Sequence, residues 1–162
     1  MSTGPAEGER PPGGGVREGS GWDSPPADSP IPIGHSERFS KTVSESDVYA
    51  FAGITGDFYP IHVDEEFARQ TRFGERIAHG ALLVGFISTV MGKMTARVPP
   101  PGGVSYRYEV SFVGPVRFGD TITTELTLAE TRADRRELVF RARSTNQRGE
   151  TVLEGQTVLK LI

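Results

Sequence analysis

The segment at residues 78–94 is apolar on almost every side of the helix that it predicts. A surface helix keeps a polar face toward water, whereas a helix without one must be covered by other elements all round. This requirement constrains the fold more than any other feature of the chain. The apolar side chains are Ala81, Leu82, Leu83, Val84, Phe86, Ile87, Val90 and Met91.

The residues after this helix predict the sheet that covers it. Residues 104–112 alternate apolar with polar side chains without error, which is typical of a half-buried strand. Further strands are predicted at 122–128, 138–142 and 152–161, and a weaker one at 37–43 precedes the helices. This order predicts an α+β fold, with a curved antiparallel sheet of about five strands wrapped around a long buried central helix. The open sheet edge favours pairing with a second copy, so we expect a homodimer.

The first 35 residues differ from the rest of the chain. They hold 8 Gly and 7 Pro and show no apolar periodicity. Such a segment buries too little apolar surface to offset the entropy of ordering it. We therefore predict a disordered Gly/Pro-rich tail at 1–35 and one folded domain at 36–162. The tail has no basic start followed by an apolar run, so it does not predict a secretory signal.

Composition narrows the function. The net charge of −3 equals that of the tail alone, so the domain is formally neutral and nucleic-acid binding is disfavoured. The absence of cysteine excludes disulfides, thiolate nucleophiles and Cys-type zinc sites. The longest apolar run is shorter than the ~20 residues that a membrane-spanning helix needs. We expect a soluble cytoplasmic protein with no membrane or nucleic-acid partner.

The sequence GDFYPIHVD (residues 56–64) places an aspartate and a histidine around a proline. A helix is predicted to begin after Ser44 and to end at Gly53 or Gly56, and the motif follows as irregular backbone. Pro60 prevents Asp57 and His62 from sharing one helix, and a turn there lets their side chains converge. The alternative is that Asp57 caps the first helix and His62 is an ordinary loop residue.

A second motif, His79-Gly80, lies where the apolar helix begins. First-turn amides lack an intrahelical partner, and the helix dipole adds partial positive charge there. Because Gly80 has no side chain, a ligand oxygen can approach its N–H, and an amide beside an Asp/His pair suits enolate stabilisation. Close helix packing is the alternative for Gly80. Ser88 lies about 80° further round the helix, where a bond back to a carbonyl is the commoner role of a serine.

Three blocks together resemble the MaoC-like hydratases, the (R)-specific enoyl-CoA hydratases of the hot-dog fold. They are FAGITGDFYPIHVD (51–64), IAHGALLVGF (77–86) and SFVGPVRFGDTIT (111–123). The resemblance implies that Asp57 and His62 activate a water, that the Gly80 amide binds the thioester oxygen, and that Ser88 lies close to the pair. The PVRFGD stretch is similar to a structural turn of the family, and Tyr59 stands where the family usually has Asn.

The resemblance also implies an activity. This is reversible hydration of trans-2-enoyl-CoA to (3R)-3-hydroxyacyl-CoA, with an acyl thioester as the partner and with no cofactor or metal. The acyl carrier is coenzyme A or an acyl carrier protein. Four residues next to the motifs are expected to contact the substrate: Tyr59, Pro60, His79 and Ala81.

Other functions compete with this one. The same fold with Asp57 as a base fits an acyl-CoA thioesterase, and the family also fits a 3-hydroxyacyl-ACP dehydratase or a non-catalytic thioester-binding subunit. A non-haem iron site made of His62, Asp64 and His79 is disfavoured, because its ligands do not fall on the strands that such sites use.

Overall fold

The computed structural model describes residues 29–162, which form one sheet and four α-helices. The elements are β1 (Ser36–Thr42), α1 (Glu45–Thr55), α2 (Pro60–Val63), α3 (Glu65–Arg69), α4 (Gly80–Thr95), β2 (Gly103–Phe112), β3 (Thr121–Arg132), a 3₁₀ turn (Ala133–Arg135), β4 (Glu137–Thr145) and β5 (Thr151–Leu161). Within residues 29–162, no helix has the length and apolarity needed to cross a bilayer.

The five strands form one antiparallel sheet in the order β1-β3-β4-β5-β2. The strands β1 and β2 are therefore its edges, and each has one side free of strand partners in the described chain. The predicted α+β class and the five strands are confirmed. Every predicted strand is present, and β3 and β4 are several residues longer than the pattern indicated.

The predicted central helix is present as α4. It begins at Gly80, two residues later than expected, because Ala78 donates its N–H to the Val116 carbonyl at 2.8 Å and His79 is the extended N-cap. Six apolar side chains of α4 are buried against the sheet: Leu83, Phe86, Ile87, Val90, Met91 and Met94.

One side of α4 is exposed in the single chain, although the apolar pattern predicted burial all round. We call this side the α4 strip, and it consists of Ala81, Gly85, Ser88 and Gly92. The four residues follow one another at spacings of three or four, so they form a continuous small-residue surface along the helix.

The edge strand β2 buries less of its apolar face than its alternation predicts. Tyr108 and Val110 pack against the core, but Val104, Tyr106 and Phe112 are 49%, 59% and 51% exposed. A register shift between Ser105 and Arg107 interrupts the pairing of β2 with β5. The edge therefore presents large apolar side chains to solvent.

Gly155 in β5 sets how closely β2 can approach. Its φ is +152°, and a Cβ at this position would lie 2.2 Å from the Glu109 carbonyl oxygen and 2.7 Å from the Val110 Cα. Backbone atoms cannot yield to that overlap, so a residue without a side chain is required here.

The N-terminal boundary of the domain lies earlier than the sequence predicted. Ile31 is fully buried in the core cluster, Gly34 donates to the Leu128 carbonyl at 2.8 Å, and Leu128 donates to the His35 carbonyl at 2.9 Å. Residues 29–35 are therefore part of the fold, and the predicted boundary at 35 is wrong. The remainder of the predicted tail, 1–28, lies outside the described residues.

Truncation tests this boundary. Removing residues 1–35 should destabilise the protein relative to removing 1–28, because the longer deletion also removes Ile31 and the bonds to β3. In the full chain, Ile31→Ala should lower the free energy of unfolding by about 3 kcal/mol, the cost of a cavity in a packed core. The measurement is urea denaturation followed by circular dichroism.

The matched control is Ile33→Ala, because Ile33 is 61% exposed and lies two residues away. It should change the unfolding free energy by less than about 0.5 kcal/mol. Equal effects of the two substitutions would contradict the burial of Ile31.

Candidate active site

Asp57 follows directly after the end of α1. The helix ends with Gly56 in the left-handed conformation (φ 80°), and the Gly56 N–H bonds the Ala52 carbonyl at 2.8 Å. Glycine adopts this conformation without strain, so Gly56 and not Asp57 is the helix cap. Asp57 Oδ1 instead accepts the Tyr59 N–H at 3.2 Å, which turns the chain toward α2. The alternative of a capping aspartate is wrong.

His62 lies in the single helical turn of α2, not in the irregular backbone that the sequence predicted. Pro60 is the first residue of this turn, a position that suits its fixed φ and its missing N–H. The Nδ1 atom of His62 lies 2.8 Å from the Ile77 carbonyl oxygen. Because a carbonyl only accepts, Nδ1 carries the proton, and Nε2 keeps a lone pair able to accept one.

His79 contacts both Asp57 and His62. It is 2% exposed, and its Nε2 donates to the Asp57 carbonyl oxygen at 2.9 Å. Its ring stacks on the His62 ring with centroids 3.8 Å apart, and Phe51 packs against it at 4.9 Å. His79 therefore positions both the Asp57 backbone and the His62 imidazole.

The three side chains form one cluster. A carboxylate oxygen of Asp57 and a ring nitrogen each of His62 and His79 lie within 4.8 Å of one another. The sequence-predicted convergence of Asp57 and His62 is present in the structure. Asp57 is also 52% exposed at its side chain, so solvent reaches the carboxylate directly.

The cluster suits a water better than a metal ion. The Nε2 atom of His79, 3.9 Å from Asp57 Oδ2, already donates its proton to the Asp57 carbonyl oxygen and so has no lone pair for an ion. The alternative iron site made of His62, Asp64 and His79 is also disfavoured, because Asp64 Oδ1 caps α3 by accepting the Phe67 N–H at 3.0 Å. A water, by contrast, needs only one acceptor from each of Asp57 and His62.

The environment keeps His62 neutral. Burial lowers the pKa of His62 from its ordinary value of 6.5, the Ile77 carbonyl raises it, His79 lowers it and Asp57 raises it, with a net lowering. The neutral imidazole is therefore the main form at pH 7. A neutral histidine with a free lone pair at Nε2 is a proton acceptor.

Gly80 presents a free amide to a cavity of about 290 Å³. In residues 29–162, no backbone or side-chain acceptor bonds the Gly80 N–H, which begins α4 and lies at its positive end. His62 lines the same cavity. The remaining walls are formed by Arg72, Phe73, Ile77, Ala78, Leu83, Phe112, Val113, Gly114, Pro115 and Val116.

Phe112 explains why position 80 lacks a side chain. A Cβ on Gly80 would lie 3.1 Å from the Phe112 ring, closer than ordinary contact. The close-packing alternative for Gly80 is therefore correct in part, because the ring of Phe112 does cover this position. The same contact keeps the space next to the amide small and apolar.

The turn after β2 holds these parts together. Ala78 N–H bonds the Val116 carbonyl, and Ile77 forms a β-bridge with Arg117. The expected structural role of the PVRFGD turn is consistent with this bridge. The turn also has a second role, because Pro115 and Val116 form part of the cavity wall.

The four residues expected to contact the substrate do not line this cavity. Tyr59 is 57% exposed and packs edge-on against His62 and Phe67, so it does not fill the space in front of Gly80. Pro60 begins α2, His79 lies buried behind His62, and Ala81 belongs to the α4 strip.

Ser88 does not line the cavity that contains His62 and Gly80 either. It is exposed on the α4 strip and lines a second depression with Gly92 and the Pro100–Pro101 segment. Its predicted role beside the pair stays a prediction.

The sequence did not reveal the far wall of the cavity. Arg72 and Phe73 fall outside the predicted helices and strands, and residues 112–116 are about thirty positions from Gly80 along the chain. The one available signal was the Gly114-Pro115 pair, which marks a turn but does not indicate what the turn packs against.

Comparison with known proteins now identifies the family. A family model described as MaoC like domain matches residues 30–148. The chain belongs to the MaoC-like domain family. Its match begins at residue 30, which agrees with the burial of Ile31 in the core.

Relatives of this MaoC-like protein have named activities. The chain is 41% identical over 129 residues to an (R)-specific enoyl-CoA hydratase of Rhodospirillum rubrum, covering 80% of this chain and 87% of the relative. It is 42% identical over 131 residues to a 3-hydroxybutyryl-CoA dehydratase of Methylorubrum extorquens, covering 81% of each.

A solved structure supports the fold. The (R)-hydratase from A. caviae involved in PHA biosynthesis superposes with a TM-score of 0.74 at 32% identity, covering 82% of this chain and 98% of that one. The hot-dog fold expected from the resemblance is confirmed.

The titration of His62 tests the geometry of this cluster. By two-dimensional ¹H–¹⁵N NMR, His62 should titrate below 6.5, because burial disfavours the imidazolium. Asp57→Asn should lower the His62 pKa further, because the carboxylate that favours the charged ring is gone.

Asp64→Asn is the control, since Asn also caps helices and Asp64 is engaged with Phe67. It should leave the His62 pKa unchanged. A His62 pKa that rises in Asp57→Asn would show that the carboxylate does not face the ring.

Proposed function

We propose that this MaoC-like protein hydrates trans-2-enoyl-CoA to (3R)-3-hydroxyacyl-CoA and catalyses the reverse dehydration. One observation carries the proposal: the neutral His62 and the Asp57 carboxylate converge beside a cavity that also contains the free Gly80 amide. The named activities of the two curated relatives and of the A. caviae structure support the same reaction.

The thioester carbonyl is activated at the start of α4. Its oxygen accepts the Gly80 N–H, where the helix dipole and the low polarity of the cavity both favour developing negative charge. An aligned donor of this kind contributes about 3 kcal/mol to stabilising the enolate. The acyl chain then lies along the apolar wall formed by Leu83, Phe112 and Val116.

His62 carries the proton in this mechanism. A water is held between the Asp57 carboxylate and His62 Nε2. His62 takes one proton while the water oxygen bonds Cβ, and the electrons of the double bond move into the enolate at Gly80. The protonated His62 then gives the proton to Cα, which restores the carbonyl and the neutral ring. Because one group serves both steps, hydrogen and hydroxyl add to the same face.

The low pKa of His62 suits this sequence. The ring must be neutral to accept the first proton and a strong enough acid, once charged, to protonate Cα. His79 assists without contacting the substrate, because it holds the Asp57 backbone and stacks on the His62 ring.

A turnover assay tests the function directly. With crotonyl-CoA, the protein should remove the absorbance of the conjugated thioester without releasing free thiol. Thiol release would identify a thioesterase with Asp57 as its base, and no change at all would identify a thioester-binding subunit. A crotonyl thioester of an acyl carrier protein compares the two carriers.

Substitution of the pair gives a sharper test. Asp57→Asn and His62→Gln should each lower kcat by at least about 10³-fold, because both side chains hold the same water. For the same reason, the double variant should be scarcely slower than either single one. The measurement is the initial rate of crotonyl-CoA hydration at saturating substrate.

The matched control is Asp64→Asn, which changes a nearby carboxylate that caps α3 and is not part of the Asp57–His62–His79 cluster. It should keep kcat within about twofold of the wild type, since Asn retains the cap. Wild-type rates in either single variant of the pair would refute the assignment.

We also propose that two copies associate through the β2 edge and the α4 strip. The β2 edge exposes Val104, Tyr106 and Phe112, and the strip offers small residues that allow helices to approach closely. Ser88 lies on this strip. A Ser88 that acts near Asp57 and His62, as predicted, would therefore do so from the interface between the two copies.

The mass in solution tests the dimer. Size-exclusion chromatography with light scattering should give twice the chain mass of 17.6 kDa. Gly85→Arg should give a monomer, because nothing in the single chain lies within 4 Å of a Cβ there, whereas a second helix would collide with the arginine.

Gly53→Arg is the control. Gly53 is also helical, exposed and without neighbours within 4 Å of a Cβ, but it lies on α1. This variant should remain dimeric, and a monomeric wild type would overturn the proposal.

A further inference from the structure

Arg72 is a positive charge in the wall of the catalytic cavity. Its side chain is exposed, so it lies where the cavity meets solvent. The guanidinium packs over the Phe73 ring, 4.9 Å from the centroid, which limits the orientations that it can adopt. Among residues 29–162, no carboxylate lies within 4 Å of it.

The other arginines around this region are neutralised. Each has at least one carboxylate partner, and the pairs are Arg76 with Glu45 and Glu65, Arg117 with Glu75, and Arg148 with Asp120 and Glu150. Arg117 and Arg148 line a depression that shares Val113, Gly114 and Pro115 with the catalytic cavity. Within the part of the chain that the structure describes, Arg72 is therefore the arginine of this region whose charge has no carboxylate partner.

The substrate of the proposed reaction supplies an anion. The thioester carbon is bound at Gly80, and the acyl chain follows the apolar wall, so the carrier must leave the cavity toward solvent. Coenzyme A and the prosthetic arm of an acyl carrier protein both carry a phosphate beyond the thioester. A guanidinium binds phosphate through two parallel N–H donors, which makes arginine well suited to this contact.

We propose that Arg72 binds a phosphate of the thioester's carrier and thereby determines affinity for carrier-bound substrates. This inference rests on the proposed hydratase function. Arg72 contacts a part of the substrate that does not react, so its binding energy is the same in the ground state and the transition state. Its loss should therefore raise KM and leave kcat almost unchanged.

Kinetics with matched thioesters test the proposal. In Arg72→Ala, kcat/KM for crotonyl-CoA should fall about tenfold through KM, the size expected for a lost hydrogen bond to a charged group. For crotonyl-pantetheine, which has no phosphate, kcat/KM should stay within about twofold of the wild type. Arg72→Gln should behave like Arg72→Ala. Arg72→Lys should recover part of the lost kcat/KM, because lysine restores the positive charge but lacks the two parallel N–H donors of the guanidinium.

Two further thioesters identify the source of the phosphate. Crotonyl-4′-phosphopantetheine keeps the phosphate common to coenzyme A and to an acyl carrier protein, and a tenfold loss with it assigns Arg72 to that group. A loss seen with crotonyl-CoA but absent with its 3′-dephospho form assigns Arg72 to the 3′-phosphate. The KM of the wild type should also rise with salt more steeply than that of Arg72→Ala, because screening weakens the contact.

Arg141→Ala is the matched control. Arg141 is exposed and, among residues 29–162, has no carboxylate partner within 4 Å, but it lines a depression on the sheet beside Glu109 and Gln156. This variant should leave kcat/KM for all four thioesters unchanged. Equal losses of Arg72→Ala on crotonyl-CoA and crotonyl-pantetheine, or no loss on either, would overturn the inference while leaving the hydratase function intact. A wild type that hydrates none of the thioesters would refute the function itself.

Discussion

Two hydrogen bonds to adjacent residues, Ile77 and Ala78, fix how His62 and the start of α4 lie relative to each other. The Ile77 carbonyl accepts from His62 Nδ1, and the Ala78 N–H donates to the Val116 carbonyl. The first bond sets which nitrogen of His62 is free. The second sets where α4 starts, and therefore where the Gly80 amide points. The orientation of His62, the proposed proton acceptor, and the position of the Gly80 amide, the proposed oxyanion donor, thus depend on one short extended segment.

Burial and solvent access differ among the three side chains of the cluster. His79 is enclosed and rigidly held, His62 is partly buried and kept neutral, and Asp57 remains in contact with solvent. An imidazole that is to exchange protons needs an environment that disfavours its charge, whereas a carboxylate that holds water needs access to it. Three neighbouring residues receive three different environments because each comes from a different turn of the chain.

Much of this arrangement could be predicted from sequence because it is local. The apolar run of α4, the alternation of β2 and the proline between Asp57 and His62 each act through periodicity or a fixed φ. Ile31 escaped prediction because one buried side chain does not change the average composition of a segment rich in Gly and Pro. The exposure of the α4 strip also could not be predicted from the apolar pattern, because small residues such as Ala81, Gly85 and Gly92 fit a buried helix and an exposed surface equally well.

The parts that escaped prediction are those that arise from contacts distant in sequence. The cavity wall at 112–116 meets Gly80 only because the sheet folds back over α4. The unpaired state of Arg72 depends on where the carboxylates of other segments fall, as shown by Arg117 and Arg148, which look equivalent in the sequence but have partners. Which charges are paired depends on the folded surface, so it cannot be predicted from the sequence alone.

Gly155 shows how far the requirements of the site extend. It lies against Glu109 and Val110 in β2, and two residues further along that strand Phe112 closes over Gly80. Any side chain at 155 would push the strand outward and carry the ring of Phe112 away from the cavity. In a random mutagenesis screen, position 155 would therefore be as intolerant as the reactive residues, although it never meets the ligand.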